Sequence, residues 1–404
     1  MSACAAPISN RKNAQKIKKA FARFMLWTKA FLMPLPIFSF YTFSFTMTSS
    51  NRLPYLDWMR GLAVLIMLQG HVMEGWLRPE DRSGEWFWFS QFLGGLPAPI
   101  FLFLVGTSLA LLLDRMRSKG ASHGQLAMRV VRRSAWILLL AYAFRIEQFL
   151  MWYPASQWRD VFRVDTLNCI AVCILLIGLV STFLKTRLRN IAVMGAATAL
   201  LAIVTPWIYP LRPNVSDIFL SYFNGNGNSA AFSVVPWAAF AFAGITFGYM
   251  LLEGRARVGE AEFFNGVAVA GIYAYTIGSA MSFFPIFQYG FFDYSVTSPH
   301  FFLIRLGWVL LIIYGAYKWS TRTSAGSWSP LIFLGQASLV VYWIHMEIVY
   351  GRPFHNFARA LEFTEATTHL LWVVPLMFAT VWVWRQRFRI LVPARSSNRV
   401  ITAE

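Results

Sequence analysis

Hydrophobic residues in the chain fall into ten long apolar runs, separated by short segments rich in charged and turn-forming residues. A helix needs about 20 mostly apolar residues to cross the hydrocarbon core of a bilayer, and each run approaches that length. We therefore predict an all-α polytopic membrane protein with about ten transmembrane helices. The predicted spans are centred on residues 55–77, 97–113, 133–152, 163–184, 190–210, 231–252, 263–286, 300–319, 330–350 and 369–388.

Composition supports a membrane protein and excludes a soluble globular domain. Of the 404 residues, 57% are hydrophobic and only 13% are charged, whereas soluble domains carry about 25% charged residues. The three cysteines, Cys4, Cys169 and Cys173, show neither a disulfide framework nor the spacing of a metal site. We therefore expect Cys169 and Cys173 to pack as apolar residues, and we expect no metal.

The formal charge of +18 follows the pattern of spans. Most Lys and Arg residues lie near the two ends of the chain and in loops after even-numbered spans, such as residues 115–133 and 185–189. Loops with this excess face the cytoplasm. We therefore predict a multi-pass protein of the plasma (inner) membrane with both termini in the cytoplasm. Because the positive charge is explained by the orientation of the chain in the lipid bilayer, we expect no nucleic-acid partner. The sequence does not predict the oligomeric state.

The first 50 residues differ from the rest of the chain. The stretch "RKNAQKIKKAFARF" is basic and amphipathic, and "FLMPLPIFSFYTFSFTM" is apolar but interrupted by Pro34 and Pro36. A span here would invert every later helix against its charges. We therefore expect this segment either to lie along the cytoplasmic interface or to precede a true start at Met47. The predicted domains are a basic and apolar segment (1–50), a transmembrane domain (51–392) and a cytoplasmic tail (393–404).

Polar side chains inside the predicted spans converge on one depth. With a rise of about 1.5 Å per residue, His71 lies about 24 Å into the first span, and His345 lies at nearly the same height in the ninth. Such residues are costly in hydrocarbon and usually mark a functional path or a buried partner. We therefore predict one polar layer in the outer half of the membrane domain. Its predicted members are His71, Arg145, Glu147, Arg163, Asp165, Arg305, His345 and Glu347.

Structural explanations compete with functional ones at these positions. Arg145 and Glu147 are spaced i, i+2, as are Arg163 and Asp165, and side chains with this spacing do not face each other on a helix. Each of these residues could instead form an ion pair with a residue of another helix. Asp57 and Arg60, near the cytoplasmic end of the first span, are spaced i, i+3 and could pair with each other or contact a ligand. A lone histidine such as His71 is often a satisfied interior group.

The outer end of the second span reads "FLGGLPAPIFLFLVG". Gly94, Gly95, Pro97 and Pro99 predict a break in the helix there, since proline suits a first helical turn. The N–H groups of the new helix could point at the polar layer and stabilise an oxyanion, or the break could be an ordinary helix start.

Aromatic residues cluster near the outer ends of the predicted spans. We expect an interfacial belt, with a sugar-stacking surface as the alternative for some of its members. These residues are Trp76, Trp86, Trp88, Trp152, Tyr153 and Trp158.

Five segments in order resemble a known family. The chain resembles bacterial homologues of the catalytic domain of heparan-alpha-glucosaminide N-acetyltransferase over about residues 52–390, and its opening motif more distantly resembles the acyltransferase-three family of glycan O-acetylases. The segments are "LDWMRGLAVLIMLQGH" (56–71), "PIFLFLVGTSLALLL" (99–113), "RVDTLNCIAV" (163–172), "PWAAFAFAGITFGYML" (236–251) and "LGQASLVVYWIHMEIVYG" (334–351).

The resemblance implies acyl transfer across a membrane, from acetyl-CoA on the cytoplasmic side to a sugar outside. Positions matched to the family motifs are Asp57, Arg60, His71, Asp165 and His345. One departure matters, because the heparan enzyme's catalytic histidine lies further along, where this chain reads "LRPEDRSGEW" and has no histidine. His71 instead matches the histidine of the acyltransferase-three motif.

Two functions fit these residues. In the preferred one, an acyl-CoA-dependent transmembrane acyltransferase, histidine removes a proton from an attacking hydroxyl or amine, or carries the acyl group. We assign catalysis to His71, Asp165, His345 and Glu347, acetyl-CoA binding to Asp57 and Arg60, and acceptor binding to Arg145, Glu147, Arg163 and Arg305. The alternative is a proton-coupled transporter that uses the same residues as a relay; the repeated halves common in transporters are not evident.

Overall fold

The computed structural model describes residues 53–208, 218–224, 230, 232–284, 297–323 and 327–391. These residues form helices and turns without a β-sheet, which confirms the predicted all-α class. The predicted segments 1–50 and 393–404 lie outside the described residues. The α-helices are α1 (Pro54–Trp76), α2 (Glu85–Gly94), α3 (Pro97–Ser118), α4 (His123–Trp152), α5 (Thr166–Phe183), α6 (Arg187–Ile208), α7 (Ile218–Asn224), α8 (Val234–Arg257), α9 (Glu260–Met281), α10 (Pro299–Arg322), α11 (Pro330–Gly335), α12 (Ser338–Tyr350) and α13 (Phe363–Leu391).

Local sequence explains where several helices begin. Proline occupies the first turn of α1, α3, α10 and α11, where its missing N–H costs nothing and its fixed φ suits a helix. Ser122 precedes α4 and forms a reciprocal capping box with Gln125, which satisfies two backbone donors.

Among the residues that the structure describes, seven helical segments are long and apolar enough to cross a membrane. Every predicted span falls on helical structure where the chain is described, and the structure therefore indicates a multi-pass membrane protein. Three predicted spans are not among the seven. The first span (α1) carries several charged residues, the ninth span (330–350) is interrupted, and the seventh span (α9) is the third of them. The seven segments are Glu85–Ser118, His123–Trp152, Thr166–Phe183, Arg187–Ile208, Val234–Arg257, Pro299–Arg322 and Phe363–Gln386.

The prediction of one continuous helix over 330–350 is wrong. α11 ends at Gly335 and α12 begins at Ser338, with Ala337 in a non-helical conformation between them (φ −116°, ψ 20°). α11 lies directly against the backbone of α1. A Cβ added at Gly335 would lie 2.0 Å from the carbonyl oxygen of Asp57, and one added at Gly61 would lie 1.9 Å from that of Leu331. Only glycine permits this approach, and the chain leaves the helix just after it.

The chain divides into two compact units. The larger unit contains residues 54–70 and 88–336, and the smaller unit contains residues 71–87 and the chain from 337 onward. α1 is one continuous helix that contributes residues to both units, with the boundary between Gly70 and His71.

Small residues allow close helix packing in the larger unit. A Cβ added at Gly106 of α3 would lie 2.1 Å from the carbonyl oxygen of Ala241 on α8, and one added at Gly244 would lie 2.0 Å from that of Phe103. Thr107 Oγ1 donates a hydrogen bond to the Gly244 carbonyl at 3.0 Å. Membrane helices typically associate through small residues and hydroxyl hydrogen bonds of this kind. The expected packing of Cys169 and Cys173 is also seen, since both are buried free thiols.

Charged side chains fix helix ends in the larger unit. Arg187 at the start of α6 makes two hydrogen bonds, 2.8 and 2.9 Å long, to the carboxylate of Asp114 on α3. Arg117 donates to the hydroxyl of Tyr249 at 2.8 Å and to the carbonyl oxygen of Ser181. Bidentate Arg–carboxylate pairs fix geometry as well as charge, so these arginines serve the fold.

The smaller unit is built around Trp76, the last residue of α1. Trp76 is fully buried, and its Nε1 donates to the Val349 carbonyl of α12 at 3.0 Å. Its ring packs at 5.2 Å from Phe357 and 6.1 Å from Trp372. The expectation that Trp76 belongs to an interfacial belt is therefore wrong; Trp86, Trp88, Tyr153 and Trp158 are exposed.

Main-chain contacts hold the chain after α1 in the same unit. The N–H of Arg78 donates to the Leu361 carbonyl at 3.0 Å, and its guanidinium lies 2.9 Å from the carboxylate of Glu362. The hydrogen bond to Asp81 raises the pKa of the Arg78 guanidinium, which therefore stays charged. The end of α1 is thereby tied to the segment that follows α12.

Candidate functional site

Two histidines form a pair inside the smaller unit. Nδ1 of His71, in the last two turns of α1, lies 2.8 Å from Nε2 of His345 on α12. The two rings are nearly parallel, with centroids 5.0 Å apart and an interplanar angle of 14°. His345 has no exposed surface. Both residues were predicted as site residues from their depth, and the structure brings them into direct contact.

A backbone carbonyl fixes the protonation pattern of this pair. Nδ1 of His345 lies 2.8 Å from the carbonyl oxygen of Val341. Because a carbonyl can only accept, Nδ1 of His345 carries the proton, and Nε2 of neutral His345 is an acceptor. His71 must then donate through its own Nδ1. Its Nε2 consequently keeps a lone pair, and no described residue forms a hydrogen bond with that atom.

A tyrosine and a glutamate lie beside His71. The Tyr350 hydroxyl donates to the carboxylate of Glu74, and the Tyr350 ring packs edge-on against His71 at 5.8 Å. The sequence reading did not name Glu74 or Tyr350. Helical spacing was an available signal for Glu74, because it follows His71 by three residues and so shares its helix face.

Close contact between α1 and α12 holds this geometry. A Cβ added at Gly75 would lie 2.7 Å from Cγ1 of Val349. Glu347 lies two residues beyond His345 on α12 and is fully buried, with its side chain so close to Gly351 that an added Cβ there would lie 3.0 Å from Oε2. The hydrogen-bond partner of His71 Nδ1 is therefore His345, and neither Asp165 nor Glu347, the two carboxylates assigned to catalysis with it, bonds that atom.

Asp165 has a different partner, in the larger unit. Its carboxylate lies 3.2 Å from Nε of Arg145 on α4, and the residue precedes α5 in a capping box with Asn168. This is an ion pair between two helices, the structural alternative considered for these residues. Glu147, which lies on α4 with Arg145, is buried.

Arg305 lies at the predicted break before α3. The break is present, with α2 ending at Gly94 and α3 beginning at Pro97. The Arg305 guanidinium donates to the Phe92 carbonyl and lies 4.5 Å from the centroid of the Phe92 ring. A Cβ added at Gly95 would lie 2.8 Å from Nη2 of Arg305. A cation on the free carbonyls of a helix C-terminus is stabilising, so Arg305 caps α2.

Asp57 and Arg60 contact each other, which is one of the two alternatives that their i, i+3 spacing left open. Nη1 of Arg60 lies 2.8 Å from Oδ1 of Asp57, and Nε2 of Gln336 donates to Oδ2 at 3.3 Å. Gln336 was not predicted as a site residue, although it lies within the "LGQAS" segment. Both units thus contain predicted residues: His71, His345 and Glu347 belong to the smaller one, and Asp57, Arg60, Arg145, Glu147, Arg163, Asp165 and Arg305 to the larger one. That eight of these share one layer stays a prediction.

Within the part of the chain that the structure describes, no group of three His, Cys, Asp or Glu residues is arranged to hold a metal ion. A neutral imidazole of the pair can remove a proton or attack an electrophile.

The apolar helices indicate a multi-pass membrane protein, and the histidine pair is its candidate functional site. The family of the heparan-alpha-glucosaminide N-acetyltransferase catalytic domain matches residues 52–288, more than half of the chain, so the chain belongs to this family. It is a membrane acetyltransferase-like protein, as the resemblance predicted. No match to a curated protein was found. The matched range includes His71 and ends before His345.

Proposed function

We propose that the protein transfers an acetyl group from cytoplasmic acetyl-CoA to an amino or hydroxyl group of a sugar or glycan on the outer face of the membrane. The observation that carries the proposal is the His71–His345 pair in a member of an acetyltransferase family. His71 Nε2 is the reacting atom. The plasma membrane and cytoplasmic termini belong to the same proposal and rest on the distribution of basic residues.

In the transfer step, Nε2 of His71 removes the proton from the acceptor oxygen or nitrogen as that atom attacks the thioester carbonyl. A C–O or C–N bond forms and the C–S bond breaks. The imidazolium of His71 then returns the proton to the CoA thiolate, so charge and protons balance. His345 stabilises the imidazolium through the same hydrogen bond. A two-step variant, in which Nε2 first takes the acetyl group, uses the same lone pair.

The remaining predicted residues have supporting roles in this proposal. Asp57 and Arg60 act at the donor end, where the guanidinium can meet the phosphates of CoA. Arg145, Glu147, Arg163 and Arg305 are assigned to binding of the acceptor, and Asp165 and Glu347 to catalysis, as the positions of these residues along the chain predict.

Radiolabelled acetyl-CoA tests the activity. Purified protein in lipid nanodiscs is incubated with acetyl-labelled CoA and glucosamine as the acceptor probe, and free CoA thiol and labelled product are measured. We expect transfer by the wild type and a loss of about 10²–10⁴-fold in His71→Asn. His355→Asn, a change at an exposed histidine of the same unit, is the matched control and should keep full activity.

The comparison can fail in two distinct ways. A well-folded His71→Asn protein with full transfer activity would remove His71 from the mechanism. Absence of any label transfer or CoA release by the wild type, with glucosamine or with a glycan extract, would contradict the acyltransferase assignment itself.

A further inference from the structure

We propose that the exposed face of α4 near its N-terminus binds the headgroup of an anionic phospholipid, a role independent of the proposed acetyl transfer. A cavity of about 460 Å³ lies here between the last turn of α3 and the first turns of α4. Met116 contributes the α3 side. The residues that line the rest are Ser122, Gly124, Gln125, Met128, Arg129 and Arg132.

Helical spacing places the key side chains in one stripe. Gln125, Met128, Arg129 and Arg132 follow the i, i+3, i+4, i+7 pattern of a single helix face. The other face of α4 is the packed one, and its buried residues include Leu126, Val130, Ser134 and Ile137. The two guanidinium groups therefore share the side that faces away from the protein core.

These two arginines make no ion pair with any residue that the structure describes. Other arginines near helix ends do: Arg187 pairs with Asp114 and Arg257 with Glu253. No acidic residue occurs between positions 119 and 133. Two like charges one turn apart repel each other, and a phosphate group would offset that repulsion while accepting bidentate hydrogen bonds from the guanidinium groups.

The length of α4 places the arginines at headgroup level. A helix of 30 residues is about 45 Å long, whereas the hydrocarbon core is about 30 Å thick. The mostly apolar part of α4 starts at Ser134 and continues to the C-terminus, interrupted by Arg145, Glu147 and Gln148. Arg129 and Arg132 therefore lie within about one and a half turns of the hydrocarbon boundary, whichever side of the membrane they face.

The same stripe continues into the hydrocarbon as exposed apolar surface. Trp136, Leu139, Ile146 and Leu150 follow Arg132 by 4, 7, 14 and 18 residues and are 39%, 52%, 47% and 54% exposed. An amphiphile can place its phosphate on the arginines and its acyl chain along these side chains. A free phosphate would use only the arginines, so the continuous surface favours a lipid. Basic pockets beside membrane helices commonly bind anionic headgroups.

Native mass spectrometry of the full-length protein in detergent tests this site. Bound phosphatidylglycerol and phosphatidylcholine are counted during titration of the wild type and of the double variant Arg129→Gln/Arg132→Gln. The double variant Arg115→Gln/Lys119→Gln removes the same charge from the nearby C-terminal end of α3, outside the cavity, and is the matched control. We expect the wild type to prefer phosphatidylglycerol, the first variant to lose about tenfold or more in affinity, and the control to keep it.

A charge-retaining variant guards against misfolding. Arg129→Lys/Arg132→Lys keeps the charge but loses the planar fork, so we expect an affinity between the wild type and the glutamine variant. Equal losses in the Arg129→Gln/Arg132→Gln variant and the Arg115→Gln/Lys119→Gln control would show a diffuse electrostatic attraction and overturn the site. Unchanged binding in the glutamine variant would overturn it as well.

Soluble anions distinguish the possible sources of the phosphate. Inorganic phosphate, glycerol 3-phosphate and acetyl-CoA are each added in competition with phosphatidylglycerol. We expect none of them to displace the lipid at millimolar concentration, because none covers the apolar part of the stripe. Displacement by phosphate or glycerol 3-phosphate would overturn the lipid assignment, and displacement by acetyl-CoA would reassign the cavity to the acyl donor.

Discussion

Replacing His345 by phenylalanine removes the acceptor of the His71 hydrogen bond while keeping an aromatic ring of similar size in the buried position. The geometry of the pair predicts the consequence. Without Nε2 of His345 at 2.8 Å, the proton on Nδ1 of His71 has no partner in the pair. The population of the tautomer with the proton on Nε2 then rises. In that tautomer Nε2 has no free lone pair for acetyl transfer.

The size of the effect follows from the cost of an unsatisfied donor. A buried donor left without an acceptor costs about 1–3 kcal/mol. Losing that bond changes the ratio of the two His71 tautomers by about 5- to 150-fold toward the form protonated on Nε2. We therefore expect kcat of His345→Phe to fall, by no more than that factor, with KM for acetyl-CoA unchanged. His345→Gln should recover much of the loss, because its amide oxygen can accept at the position of the lost Nε2.

Nitrogen-15 NMR of histidine-labelled protein measures the tautomer directly, without relying on activity. The chain has six histidines, so single substitutions can assign each signal. We expect the wild type and His345→Gln to show His71 protonated at Nδ1, and His345→Phe to show it protonated at Nε2.

Two results would refute this reasoning. One is the same His71 tautomer in all three proteins, and the other is a full kcat in a folded His345→Phe protein. A changed tautomer with no transfer activity in any of the three would leave the hydrogen-bond argument intact and contradict the acyltransferase proposal instead.

Three further predictions follow from the fold and the proposed donor end. Gly335→Ala places a Cβ 2.0 Å from a main-chain oxygen of α1, so we expect a loss of about 1–3 kcal/mol in stability, seen as a lower melting temperature; Gly315→Ala, with open space around it, should melt like the wild type. Asp57→Asn should raise KM for acetyl-CoA more than it lowers kcat, in a steady-state assay; an unchanged KM would remove Asp57 from the donor site. A cytoplasm-active reporter fused at Ala121 and a periplasm-active one at Gly225 should both be active, and the opposite pattern would overturn the predicted topology.

The sequence by itself determined the class of the protein. Apolar runs of about 20 residues leave a helix as the simplest way to satisfy the backbone in hydrocarbon, and the described residues are helical where the runs predicted it. The family followed from ordered motifs in the chain. His71 and His345 followed from depth, because the rise per residue fixes how far along a helix each side chain lies.

Tertiary structure decided which of these residues meet. Depth does not specify which helices are neighbours or which way a side chain points around the helix axis, so the contact of His71 with His345, 274 positions apart, could not be read from spacing. Spacing could not show the contact of Arg145 with Asp165 either, which is an ion pair between two helices. Glu74, Tyr350 and Gln336 were missed for this reason.

Close backbone approaches had a similar consequence. Gly61 and Gly335 are ordinary members of apolar runs in the sequence, yet they allow α11 to lie against α1. Gly335 also precedes the helix break, which the hydropathy pattern does not show. Trp76 resembles an interfacial aromatic by position, but packing of α12 and α13 residues around it leaves it fully buried. Hydropathy reports the preference of each residue for water or lipid, whereas burial and pairing depend on which surfaces the folded chain brings together.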